Sequence, residues 1–560
     1  MKNKIIGIAL ITALLVGSCK QEVITLEQPA GPPTPPTPSK GSADFTKFVA
    51  IGNSLTAGYQ AGALFTEGQK NSLGAILAQQ FATVGGGEFN QPDIGSVNGF
   101  SGIDAPSGRI LGRLILFDPD GTGPRSVGPA ATGTPARNVT CPSPVSTSAV
   151  PGEQGSIPTD FAHSKRAALN NFGVPGIQLN QALIPQTGGP ENPPGVMPPP
   201  NPAFNRLYQR FASIPGTSTI LGDAVAANGS FFMFFLGNND ILGYATSGGS
   251  GAIPLTTLEG VPGPGTGFRA AYQTAINRLL TANPNSKGVV GNIPNVTDIP
   301  FFITVRFDAV ALTAEQATAL NGGFAGYNAV LDAIKANPGL LASSGSSAAN
   351  LDARKITYKA GAGNRILISE KSPEFPDLGP IFDALVVLNR MTQIQRALLE
   401  PYRRVRQATQ TDLITLSAGA VLGSCFNNNA TAIIGTSIPL PDQFVLIPSE
   451  TQDILTRTAA FNAVIKEAAD NSNNRIALAD VNAAFKKLIA DRAQVIDGVT
   501  ITPSFAPPTG GFSEDGVHPN SRGYAYLANV FIDAINAKFK ATIPLADISK
   551  YKGTALPLNP

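Results

Sequence analysis

The sequence predicts an α/β protein, a three-layer α/β/α sandwich around a central, mostly parallel sheet, interrupted by long insertions rich in Gly and Pro. Three observations lead there. Short continuous apolar runs recur along the chain and end at Gly, Pro or Asp, as strands buried on both faces do. Segments with a 3.6-residue apolar period lie between or after those runs, which argues for helices covering the sheet. The 560 residues include 59 Gly and 47 Pro, so loops must take up much of the length.

The first strand expected is 48–51 (FVAI), ending at Gly52, and the second is 231–236 (FFMFFL), ending at Gly237. Two more are 289–293 (VVGNI), running into Pro294, and 476–478 (IAL), followed by Asp480. Helical periodicity covers 268–280, 458–469 and 523–539, the last with Tyr524, Leu527, Ala528, Phe531, Ile532, Ile535 and Phe539 on one face. Stretches 84–165 and 183–202 are Gly-, Pro-, Ser- and Thr-rich and read as insertions. A third runs over 338–450 with a helix expected at 384–404. The fragment DPDGTG at 118–123 opens like a calcium loop but lacks the later bidentate acid, and reads as a turn.

Length alone suggests about three or four domains, a prior that a motif set spanning the chain overrides. Charged residues make up 14% of the chain, against roughly 25% in an average soluble protein. An apolar share of 42% with a net charge of +2 argues against general disorder and leaves no electrostatic footprint for nucleic acid. At the N-terminus Lys2 and Lys4 precede an apolar run at 5–16, too short to span a bilayer as a mature helix. The run leads into VGSC, where small residues immediately precede Cys19. That pattern resembles the lipobox of bacterial lipoproteins, which implies a signal peptide over 1–18, lipidation of Cys19 and a cell-envelope location, lipid-anchored to a bacterial membrane with the outer membrane as first choice; an ordinary cleaved signal peptide with a chance Cys is the alternative. Residues 19–43 then read as a Pro-rich tether and 546–560 as a C-terminal tail. Export implies an oxidising compartment, in which Cys141 and Cys425 either pair or remain buried thiols.

Four stretches carry candidate chemistry. IGNSLTAGY places Ser54 just after a buried strand, where open α/β sheets form their sites; taken singly, that serine reads rather as a helix N-cap. LGNND offers Asn239 as an uncharged donor at a second strand end, or simply as an Asx turn. NFGVPG contains two glycines at which a backbone N–H can approach a ligand, or a tight turn. EDGVHPN contains one of only two histidines, His518, three residues after Asp515. A hydrolytic serine needs a base to take its proton and an acid to orient that base, and this spacing lets Asp515 hold the imidazole Nδ1–H.

In this order the four stretches resemble the conserved blocks of the SGNH hydrolases, also called GDSL esterases and lipases. The resemblance covers 44–83, 166–182, 204–336 and 452–540, within a domain expected over 44–545. It implies an SGNH or flavodoxin-like sandwich in which Ser54 is the nucleophile and Asp515 and His518 complete the triad. The N–H groups of Ser54 and Gly176 and the amide of Asn239 would form the oxyanion hole, with Gly173 as second choice to Gly176. No metal or other cofactor is implied. Asn53 stands where the family usually has Asp, a position outside the triad. The implied reaction is hydrolysis of lipid or simple acyl esters through an acyl-enzyme. An acylated glycan is the alternative substrate, disfavoured by 7% aromatics and the absence of Trp. A non-catalytic binding lipoprotein on the same fold is the alternative of another kind.

Overall fold

Five strands build one sheet: β1 (Phe48–Gly52), β2 (Asn171–Gly173), β3 (Phe231–Phe235), β4 (Lys287–Gly291) and β5 (Ile476–Ala479). The structure is a computed structural model that describes residues 37–104, 108–117, 125–127, 154–192, 201–260 and 267–555. The strand order is β5-β4-β3-β1-β2 and every pairing is parallel, so the expected "mostly parallel" sheet is parallel throughout. Four strands coincide with apolar runs. β2 does not: it lies inside the NFGVPG stretch, read as a ligand-approaching loop or a tight turn but not as a strand, because three residues paired with a single neighbour carry no periodic signal.

Side chains alternate between two cores, as pleating requires. Phe48 and Ala50 of β1 join Phe231, Met233 and Phe235 of β3 on one face. There they pack against α2 (Leu73–Ala82) and α9 (Ser521–Phe539). Val49, Ile51, Phe232 and Phe234 face the other way. They meet α3 (Ile220–Ala226), α5 (Phe268–Ala282) and α7 (Pro448–Asp470). Each Phe buried in this way contributes about 1.5–3 kcal/mol. The expected helix at 458–469 is the second half of α7, which Pro448 opens at a position where its missing N–H costs nothing. With order 2-1-3-4-5, the connections from β1 run in opposite directions across the sheet, the arrangement in which open α/β sheets place a ligand site at the carboxyl ends of the two strands at the switch, here β1 and β3.

The third insertion has its own core, and it begins earlier than 338. α6 (Ala314–Ala336) contributes Phe324, Tyr327, Leu331 and Ile334 to a cluster with Leu351, Ile356, Phe382 and Val405, away from the sheet. The single helix expected at 384–404 is two, Gly379–Val387 and Gln393–Leu398. Asn389 breaks it by taking φ +53°, and Thr392 with Gln395 forms a capping box that starts the next helix. The ends of the chain also differ from expectation. Residues 39–43, read as tether, dock on the end of α9, where Ser42 N–H donates to Phe539 O at 2.9 Å. Ala546 and Ile548, read as tail, are buried in the α2–α9 core. The leader, Cys19, the turn at 118–123 and Cys141 lie outside the described residues; Cys425 is disulfide-bonded.

Candidate active site

The Gly-Asn turn after β1 dictates where Ser54 sits. Asn53 Oδ1 accepts the Leu55 N–H at 3.0 Å and caps α1 (Ser54–Ala57), so Ser54 is the first helical residue beyond the strand end. Asn53 performs this capping with its carbonyl oxygen, which an Asp carboxylate would supply equally. Gly52 has no room for a side chain, since a Cβ there would lie 1.9 Å from Thr56 Oγ1. Ser54 is buried, and its Oγ makes no hydrogen bond to any described residue.

Asp515 and His518 meet directly. His518 Nδ1 lies 2.9 Å from Asp515 Oδ2, which leaves Nε2 as the free ring nitrogen. The carboxylate also accepts the backbone N–H groups of Val517 and His518 on Oδ1, each at 2.8 Å, and of Gly62 on Oδ2 at 2.8 Å. Burial pushes this carboxyl upward, but the charge and hydrogen bonds of His518, with the Val517 N–H, outweigh it and hold the group below the ordinary carboxylate range. Gly516 forms the turn between acid and base at φ +70°, and a Cβ there would strike Leu416 at 2.9 Å. Its carbonyl accepts the Phe301 N–H at 2.9 Å. Both Leu416, from the third insertion, and Phe301 therefore press on this loop.

The segment that follows Ser54 ties the two halves together. Tyr59 N–H donates to Ser54 O at 2.9 Å, and the Tyr59 ring lies 4.8 Å from the His518 ring. Two residues on, Ala61 N–H donates to Ser513 Oγ at 2.8 Å, while Gly62 reaches Asp515 as described. The Tyr59 hydroxyl closes this turn by donating to Gly62 O, and Tyr524 of α9 holds Tyr59 O at 2.6 Å. Burial pushes the Tyr59 phenol up to about 12, so it stays a donor. From the first insertion, Leu114 N–H donates to Ala61 O at 2.6 Å. The segment Tyr59–Gly62 thus links the Ser54 backbone to the Asp515–His518 pair, and Ser54 and His518 share no direct hydrogen bond.

The two glycines of NFGVPG behave differently. Gly173 N–H is taken by Asn171 Oδ1 at 2.9 Å, and a Cβ there would lie 2.5 Å from Ala57 N, so glycine is needed for packing against α1. Gly176 is exposed, has φ +80°, and its N–H has no partner among the described residues. Asn239 begins α4 (Asn239–Thr246) and donates one Nδ2 hydrogen to Ile177 O at 2.8 Å, which sets its amide beside the Gly176 turn with a second hydrogen to spare. Asn205 Nδ2 holds the same turn through Pro175 O at 2.8 Å. Next to Asn239, Asp240 is buried and accepts the Leu179 N–H at 2.8 Å. His163, the other histidine, starts a short helix at His163–Arg166.

Sequence reasoning passed over Tyr59, Gly62 and Ser513. Tyr59 lies within the IGNSLTAGY stretch, but nothing in its spacing announces a partner more than 450 residues away. Glu514 was also passed over; half-buried beside Asp515, it is pushed up to about 7, chiefly by burial. Comparison with family models, curated proteins and solved structures gave no match.

Proposed function

We propose that this chain is a serine-dependent hydrolase of carboxylic esters, of the SGNH hydrolase kind, acting on lipid or simple acyl esters. The observation that carries the reading is the 2.9 Å contact between Asp515 and His518 on a loop strapped to the turn that follows Ser54. The carboxyl edge between β1 and β3, where an open sheet of this order binds ligands, adds support.

In the proposed reaction His518 Nε2 takes the Ser54 proton as Oγ attacks the ester carbonyl. Asp515 holds the ring by Nδ1 and stabilises the imidazolium that forms. The oxyanion is received by the N–H groups of Ser54 and Gly176 and by Asn239 Nδ2. His518 then returns the proton to the leaving alcohol, and water attacks the acyl-serine by the same route. The leader and the VGSC stretch support export and lipid anchoring at Cys19. Ser54→Ala should abolish hydrolysis of short p-nitrophenyl esters and labelling by a fluorophosphonate, with an unchanged thermal melt. An undiminished rate in that variant overturns the assignment.

A further inference from the structure

We infer that the helical hairpin Gly379–Leu398 of the third insertion is a docking surface for an anionic phospholipid membrane, a function separate from the ester-hydrolase reading. Four large apolar side chains stand out there: Val387 is 81% exposed, Leu388 54%, Ile394 76% and Leu398 68%. They account for four of the fourteen large apolar residues exposed among the described residues, gathered within one helix–turn–helix. Single exposed apolar residues need no explanation, but a cluster marks a contact surface.

The same turn carries a groove of about 380 Å³ lined by Asn389, Arg390, Thr392, Gln393 and Gln395. Arg390 is exposed and its side chain has no partner among the described residues. The acids on and beside the hairpin are already paired with one of its own arginines. Asp383 and Glu400 each sit 2.6 Å from the Arg396 guanidinium, and no Asp or Glu occurs from 384 to 399. A free guanidinium among amide donors suits a phosphate diester, and an adjoining apolar ridge suits the acyl layer beneath it. A lipid surface presents both together, which a soluble anion does not. No described helix is long and apolar enough to cross a bilayer, so the contact is interfacial.

Residues 38–560 form one compact unit that holds all the core clusters, so the test uses the chain from Pro38 onward, free of the leader and Cys19. It is sedimented with vesicles of phosphatidylglycerol and phosphatidylcholine, and with phosphatidylcholine alone. The parent should bind the mixed vesicles more tightly. Val387→Glu with Ile394→Glu should weaken binding by at least roughly tenfold, since two apolar side chains leave the acyl layer. Arg390→Gln should remove the preference for the anionic vesicles. The melting temperature of each variant is checked against the parent. Absence of parent binding, or binding untouched by the paired glutamates, overturns the proposal. So does self-association of the parent that the glutamates abolish without any vesicle binding, which would assign the ridge to a second copy of the chain.

Discussion

Asp515 and Asp240 are carboxylates near the carboxyl edge of one sheet, the first half-buried and the second fully buried, yet their surroundings push them in opposite directions. Burial drives Asp240 up to about 6, and the Leu179 N–H, Thr256 and its own backbone offset only part of that. Burial acts on Asp515 the same way, but the imidazole of His518 supplies a positive charge as well as a hydrogen bond, and the net direction is downward. At Asp240 the hydrogen bonds do not outweigh burial, whereas at Asp515 the added charge of His518 does. The contrast assigns the two acids different work. Asp515 is fitted to stabilise an imidazolium, whereas Asp240 anchors the loop that carries Gly176.

The sharpest way to break this comparison is Asp515→Asn, which keeps the shape and removes the charge. Turnover on p-nitrophenyl esters should fall by roughly 10³–10⁴, the scale seen when a triad acid is neutralised. A loss below about tenfold would remove Asp515 from the role argued for it. The parent should also carry an acid-sensitive stability that the variant lacks. With its folded value lowered, Asp515 stabilises the fold above the ordinary carboxylate range, and that contribution is lost as pH falls through the lower folded value. Asn239→Ala comes next, with turnover down roughly a hundredfold or more if its free Nδ2 hydrogen receives the oxyanion. A change within about twofold would leave Asn239 as a pin for Ile177 and nothing more.

What the sequence made legible follows the range of each interaction. The strands β1, β3, β4 and β5 were readable because continuous apolar runs report burial on two faces wherever they occur. The pairing of Asp515 with His518 was readable because a spacing of three residues confines it. β2 was not, since its place rests on pairing with β1 more than a hundred residues away. The strap from Tyr59 to Gly62 was equally hidden, because its contacts with Ser513, Asp515 and His518 arise only from the fold. The third insertion was started too late, at 338, for another reason. α6 has the amphipathic pattern of any sheet-covering helix, and the pattern does not say which core it faces.

Tyr59 gives a finer test of how the charged half is held. Tyr59→Phe keeps the ring against His518 and removes the donor to Gly62 O, so turnover should drop about two- to tenfold, the worth of one hydrogen bond. Tyr59→Ala removes the ring as well and should cost about a further tenfold. A purely structural role would lower both variants' melting temperatures without moving the pH profile of kcat. A positioning role moves the profile, and Glu514→Gln is the proper background because Glu514 titrates at about 7 in the same loop.

The smallest effect concerns Asp240, and it runs opposite in sign to the Asp515 case. A carboxyl raised from 3.8 to about 6 favours the folded state most at low pH, below its unfolded value. That contribution fades as pH climbs through about 6, and at pH 8 the ionised group is a liability inside the core. Asp240→Asn retains an oxygen for the Leu179 N–H and never ionises. Its melting temperature should therefore match or exceed the parent's at pH 8, and its stability should not fall between pH 4 and pH 6 as the parent's does. If the variant is instead less stable at pH 8 than at pH 4 relative to the parent, the negative charge at Asp240 is being used. The two carboxylates would then be alike in kind, and the loop bearing Gly176 would be held by charge as the His518 loop is.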